Sequence, residues 1–95
     1  MKIDKSKIYK EIVIFLMNFG IKKVFVFGSY ARNEEDENSD IDLIVEFEDQ
    51  KSLLQYVEIE NDLSERIGIK VDMLTENSIN PYIYSQIKEE VVGLY

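Results

Sequence analysis

The sequence predicts an α+β fold, with a small mixed β-sheet of about three strands packed by about three to four helices. Hydrophobic periodicity gives the order helix, strand, strand, helix, strand, helix. The helix between the second and third strands permits a parallel pair through a right-handed crossover. With 95 residues, 45% of them hydrophobic, the chain can bury one modest core, so we expect residues 1–95 to form a single domain.

The first helix is predicted from apolar residues that recur at helical spacing before Gly20. They are Ile8, Ile12, Phe15, Leu16 and Phe19. Asp4 is placed to cap this helix, and Ile3 and Ile8 are spaced to pack against each other as a hydrophobic staple. Gly20 supplies the stop.

Two strands follow, separated by a polar loop. The first strand, residues 22–27, is apolar on both faces from Val24 onward, which is typical of a central strand. A short helical turn is expected over residues 30–32. Residues 33–39 form a loop with four acidic side chains, which we interpret as a solvated surface rather than a functional acidic tract. The second strand is expected at residues 40–48.

The second half of the chain begins with a long helix that runs to about Arg66 and ends at Gly68, with Asp49 and Ser52 as possible caps. Its apolar side is expected to contain Leu53, Tyr56, Val57, Ile59, Leu63 and Ile67. Residues 69–74 alternate in polarity and form the third strand.

A last helix is predicted to open at Asn80 and Pro81, because proline is favoured at the first position of a helix. Its apolar stripe is expected to contain Ile83, Ile87 and Val91.

The second strand carries two carboxylates on one face. Residues two apart in a strand point the same way, so Asp40 and Asp42 share a face. The opposite face carries Ile41, Leu43, Val45 and Phe47. Adjacent carboxylates repel unless a cation or a proton lies between them. If the second and third strands are neighbours, Asp72 joins the pair, and three carboxylates on one face suit a site for two cations.

The end of the first strand supplies groups that favour an anion. Gly28 allows a phosphate to approach the backbone closely, and the N–H groups after it, with the Ser29 hydroxyl, can hold anionic oxygens. Arg32, one of two arginines in the chain, lies four residues after Gly28 and could return to the same phosphates.

Composition excludes several classes of function. Nineteen acidic residues against eleven basic ones give a net charge of −8, which disfavours nucleic-acid binding and favours a basic protein partner. The chain lacks cysteine and histidine, so disulfides, thiolate metal sites and histidine bases are excluded. Any metal is then a hard cation on oxygen ligands, such as Mg²⁺ or Mn²⁺. No signal peptide or membrane span is apparent, so a cytoplasmic protein is expected.

The ordered motifs resemble the DNA polymerase beta-like nucleotidyltransferase superfamily, and within it the minimal nucleotidyltransferases. The resemblance lies in Gly28-Ser29-Tyr30-Ala31-Arg32, then Ser39-Asp40-Ile41-Asp42-Leu43-Ile44-Val45, then Asp72 in a later strand. It covers nearly the whole chain, including the first helix and residues 87–95. Asn33 stands where members usually carry glycine, and asparagine tolerates a left-handed backbone better than most residues.

The resemblance implies transfer of AMP from ATP to a hydroxyl, with release of pyrophosphate. It assigns Asp40, Asp42 and Asp72 as catalytic ligands of two Mg²⁺ or Mn²⁺ ions. Gly28 and Ser29, with Arg32, would bind the nucleotide. Minimal nucleotidyltransferases are typically encoded beside a HEPN-domain ribonuclease toxin and act as its antitoxin, so the implied partner is a basic, helical HEPN toxin and the implied acceptor one of its tyrosines.

Alternatives remain for the function and for single residues. The domain could be a nucleotide-binding or toxin-binding module whose chemistry has lapsed, or a small-molecule nucleotidyltransferase, although 95 residues leave little material for an acceptor pocket. Arg32 could be a solvated surface residue. Asp72 could pair with Lys70 or Lys22 at a sheet edge.

Overall fold

A computed structural model of the chain describes residues 4–75 and 78–95. The elements in order are α1 (Lys5–Met17), β1 (Ile21–Phe27), β2 (Ile41–Phe47), α2 (Leu53–Ile67), β3 (Val71–Leu74), α3 (Pro81–Ile87) and β4 (Val92–Gly93). The strands form one mixed sheet of order β3-β2-β1-β4, in which β2 and β3 are parallel and the other pairs antiparallel. The predicted α+β class and the parallel crossover are confirmed.

Local sequence signals fix the starts of α1, α2 and α3 and the end of α2 as predicted, but α1 ends at Met17, before the predicted stop at Gly20. Asp4 caps α1, and Ser52 forms a capping box with Gln55 at the start of α2. Gly68 ends α2 with a left-handed φ of 73°. Asn80 caps α3. The staple expected at Ile3 lies outside the described residues.

The core lies between the sheet and the two longer helices. Ile12 and Leu16 of α1, with Ile59 and Leu63 of α2, pack against one face of the sheet. The predicted apolar face of β2 is buried there, with Ile41, Leu43 and Val45 at most 1% exposed. None of the described helices is long and apolar enough to cross a membrane.

For α2 and α3, the prediction of which apolar residues face the core is partly wrong. In α2, Leu53 is 81% and Val57 is 40% exposed, because the helix turns only its Ile59 and Leu63 side fully into the core. α3 ends at Ile87, buries none of its residues and leaves Val91 outside the helix.

The chain instead returns to the sheet as β4, a strand absent from the prediction. The Leu94 N–H donates to the Val24 carbonyl at 2.8 Å, and Gly93 lies opposite Phe25. A strand of two residues shows no alternation in the sequence, but it covers part of the free edge of β1.

The outer edge of β3 is held by side chains of α2. The Val71 N–H donates to Ser64 Oγ at 2.9 Å, and the Met73 N–H donates to Glu60 Oε2 at 2.7 Å. These bonds pair the backbone donors that face away from β2. They fix the strand that carries Asp72.

Candidate active site

Strand pairing places the predicted acidic residues at one end of the strands, where β1 ends and β2 begins. In the parallel β2–β3 pair, Asp42 lies directly opposite Asp72. In the antiparallel β1–β2 pair, Asp42 lies opposite Phe27, the last residue before Gly28. Asp42 therefore stands between the glycine turn and the third acidic residue, on the face away from α1 and α2.

Gly28 lies against the Asp42 carboxylate. It has a left-handed φ of 73°, and a Cβ added there would overlap Asp42 Oδ2 and lie 3.4 Å from Asp42 Cγ. The next turn is anchored by Tyr30, which is 2% exposed and belongs to the core. Only glycine leaves room for this approach of backbone to carboxylate.

The ionised form of Asp42 is disfavoured in the folded protein. Burial raises the pKa of Asp42 most, and the charges of Asp72 and Asp40 raise it further, while the Arg32 guanidinium lowers it. The apolar surroundings include Ile44, which is 2% exposed and follows Asp42 on the same face. A cation beside Asp42 would relieve this repulsion.

The stability of the ligand-free protein is therefore expected to depend on pH through Asp42. Because the pKa of Asp42 is raised on folding, the folded state holds this proton more tightly than the unfolded chain. Stability is favoured below the ordinary aspartate pKa and falls as pH rises through the raised value. The difference in Tm between wild type and Asp42→Asn, measured over about pH 4–7, should be smallest at the acid end. A difference that does not change with pH would contradict this account.

Asp40 is less closely associated with Asp42 and Asp72. Its Oδ2 lies 3.8 Å from Lys70 Nζ, and its side chain is 40% exposed. Lys70 thus pairs with Asp40, not with Asp72. Within residues 4–75 and 78–95, no three acidic side chains converge closely enough to hold a metal ion as they stand. The structure thus brings Asp42 and Asp72 together and directs Asp40 toward a lysine.

Arg32 lies near the site but is engaged by two glutamates. Its Nε donates to Glu34 Oε2 at 3.0 Å and a terminal nitrogen donates to Glu90 Oε2 at 3.3 Å. The side chain is 41% exposed, so these bonds are open to competition by a stronger anion. Its charge lowers the pKa of Asp42, which places the guanidinium within electrostatic range of that carboxylate.

The turn after Gly28 keeps the backbone that the sequence predicts. Asn33 is the only residue other than glycine with a positive φ in the described ranges, at 60°. Ser29 lies at the start of this turn, and its carbonyl accepts from the Glu34 N–H at 2.9 Å. Three of the four acidic residues of the following loop are exposed as expected, but Glu35 is only 18% exposed.

Glu35 is covered because Lys5 of α1 pairs with it at 3.1 Å. Sequence reasoning missed Lys5. No spacing rule links a lysine in the first turn of a helix with a loop about 30 residues away.

Known proteins resemble this chain in sequence. The sequence profile described as "Nucleotidyltransferase domain" matches residues 6–94. MJ0435 of Methanocaldococcus jannaschii, provisionally named a protein adenylyltransferase, is 46% identical over 94% of this chain and 96% of its own. The protein adenylyltransferase MntA of Thermococcus cleftensis is 40% identical over 78% of this chain and 75% of its own.

A solved structure shares the fold. It contains a tri-AMPylated HEPN toxin of Shewanella oneidensis in complex with an MNT antitoxin. The matching chain superposes with a TM-score of 0.76 at 19% identity, over 96% of this chain and 71% of that one.

Proposed function

The chain belongs to the nucleotidyltransferase domain family, and from that membership we propose that it transfers AMP from ATP to a hydroxyl group of a protein. The observation that carries the proposal is the contact of Gly28 with Asp42, opposite Asp72. It joins a backbone that can receive a phosphate to carboxylates that can receive a cation. The 46% identical relative, provisionally named a protein adenylyltransferase, supports this choice of donor and acceptor.

The donor set fits hard divalent cations. Asp40, Asp42 and Asp72 would hold two Mg²⁺ or Mn²⁺ ions, since carboxylates suit these metals and the chain has no histidine or cysteine. Burial raises the pKa of Asp42 most, and repulsion by Asp72 and Asp40 raises it further; a cation would offset that repulsion. Asp40 would exchange Lys70 for the cation, which its exposed ion pair permits. Such ions neutralise charge that develops on the transferred phosphate.

The remaining residues bind the nucleotide and move a proton. The N–H groups after Gly28 and the Ser29 hydroxyl hold the triphosphate, and Arg32 exchanges its glutamates for phosphate oxygens. Asp72 accepts the proton of the acceptor hydroxyl, whose oxygen attacks the α-phosphorus. The bond from that phosphorus to pyrophosphate breaks, and pyrophosphate leaves.

The proposed acceptor is a tyrosine of a HEPN toxin, which the chain neutralises as an antitoxin. The tri-AMPylated HEPN toxin bound to a protein of the same fold supports this choice. A net charge of −8 suits a basic partner and disfavours an RNA acceptor. Because ATP is the donor, we place the reaction in the cytoplasm.

Binding of Mg²⁺ and ATP should stabilise the fold strongly. A ligand present at 100 times its Kd adds about 2.7 kcal/mol to the free energy of unfolding. For a domain of this size, the corresponding rise in Tm is on the order of 10 °C. Thermal melts with Mg²⁺, with ATP and with both measure it. No shift at millimolar levels of both ligands would contradict the site.

Transfer is tested separately with ATP labelled at the α-phosphate. Label on a HEPN partner supports the proposal, and label on a small hydroxylated acceptor would favour a small-molecule enzyme. Binding without transfer, with either metal, would favour a lapsed module. The chain has six tyrosines, so self-labelling is measured in the absence of any acceptor.

A further inference from the structure

Lys5 connects the start of α1 to the turn that follows Gly28. Its Nζ donates to the Tyr30 carbonyl at 3.2 Å, to Asn33 Oδ1 and to Glu35 Oε1 at 3.1 Å. These three acceptors account for the three donors of an ammonium group. One side chain thus contacts three points on a segment that begins 25 residues later in the chain.

The same segment carries the groups proposed to hold the triphosphate. The Arg32 N–H donates to the Gly28 carbonyl at 3.1 Å, and the Glu34 N–H donates to the Ser29 carbonyl at 2.9 Å. These bonds make residues 28–34 one hydrogen-bonded turn. Fixing this turn at Tyr30 and Asn33 therefore also fixes where its phosphate-facing N–H groups lie.

Lys5 is well placed to act as a fixed support. Helix α1 is held in the core by Ile12 and Leu16, both fully buried, so its first turn has a set position relative to the sheet. The Lys5 and Glu35 side chains are only 22% and 18% exposed. The Lys5 ammonium, through its hydrogen bond, lowers the pKa of Glu35. Loss of Lys5 would leave a partly covered carboxylate without its cation, which disfavours the present conformation of the turn.

We propose that Lys5 is a positioning residue that holds the turn over residues 28–35 in the conformation that binds the triphosphate of ATP. This role rests on the proposed function, and it requires no contact between Lys5 and the nucleotide. Asp42 and Asp72 lie on β2 and β3, outside the turn. Binding of a metal ion alone should therefore depend on Lys5 much less than binding of ATP does.

The test compares full-length variants of α1 and of the turn. Lys5→Met removes the ammonium and keeps the length of the side chain, and Lys5→Arg restores the charge. Asn33→Gly keeps the left-handed backbone and removes one acceptor. Lys7→Met is the matched control, because Lys7 is exposed on the same helix. Calorimetry gives the Kd for Mg²⁺ with ATP, melts give the effect of Mg²⁺ alone, and transfer assays give KM and kcat.

In Lys5→Met, Kd and KM for ATP should rise about 10- to 100-fold. This range is typical of residues that orient a binding group without touching the ligand themselves. The value of kcat at saturating ATP and the shift with Mg²⁺ alone should change much less. Lys5→Arg should recover most of the affinity, and Lys7→Met should bind ATP like wild type. If Lys5→Met does not fold, Asn33→Gly decides, and weaker ATP binding supports the proposal.

If folded Lys5→Met binds ATP as tightly as Lys7→Met does, this inference is overturned and the proposed function is not. If Lys5→Met does not fold, unchanged ATP affinity in Asn33→Gly overturns it in the same way. Wild-type protein that binds neither Mg²⁺ nor ATP would overturn the proposed function, and this inference with it.

Discussion

Replacing Asp42 with asparagine is expected to abolish AMP transfer and, at the same time, to make the ligand-free protein more stable. Asparagine has nearly the shape of aspartate but no charge, so it removes the repulsion and the burial cost that raise the pKa of Asp42. It also removes a proposed cation ligand. Because bound metal ions supply several kcal/mol of transition-state stabilisation, transfer should fall by about 1,000-fold or more.

The two effects are measured on the same preparations, by transfer assays with labelled ATP and by melts with and without Mg²⁺ and ATP. Asp62→Asn is the matched control, since Asp62 is exposed on α2 and its replacement should change stability by no more than about 0.5 kcal/mol. A ligand-free Asp42→Asn protein less stable than Asp62→Asn would contradict the electrostatic account. Substantial residual transfer would contradict the role of Asp42 as a ligand.

Replacing Gly28 with alanine should destabilise the fold and prevent nucleotide binding. A left-handed φ costs an L-residue about 1–2 kcal/mol, and the new Cβ would also overlap Asp42 Oδ2. The carboxylate must then move, which disturbs its place beside Asp72. The methyl group would in addition occupy space in the proposed phosphate site.

Gly68→Ala separates these costs. Gly68 has the same φ of 73°, but a Cβ there meets nothing within 4 Å. The loss of stability in Gly68→Ala therefore reports backbone strain alone, and the additional loss in Gly28→Ala reports the contact with Asp42. Equal losses in the two variants, with ATP binding kept in Gly28→Ala, would show that the contact is unimportant.

The site was predictable from the sequence where its signals are local. The alternation of β2 buries Ile41 and Leu43 and so places Asp42 on the opposite face. The helix after β2 permits a parallel β3, which brings Asp72 opposite Asp42. Asn33 keeps the left-handed turn because its side chain tolerates a positive φ.

What escaped prediction depends on contacts between distant segments. The orientation of Asp40 toward Lys70 and the three bonds of Lys5 depend on where the chain brings these charges. Strand β4 is too short to show a period, and it pairs with β1 across most of the sequence. Leu53 fits the helical spacing of apolar residues, but spacing alone does not show whether another element covers it, and in the structure it is exposed.

The most direct test of AMP transfer to a partner is the intact mass of a HEPN toxin supplied as the acceptor. The two proteins are mixed with Mg²⁺ and ATP, and the partner is weighed and assayed for toxicity. We expect the partner to gain the mass of one or more AMP groups and to lose its toxicity, with no gain in mass when Asp42→Asn is used. Neutralisation by wild type and by Asp42→Asn to the same extent, with no added mass in either, would contradict transfer and leave binding alone as the mode of inhibition.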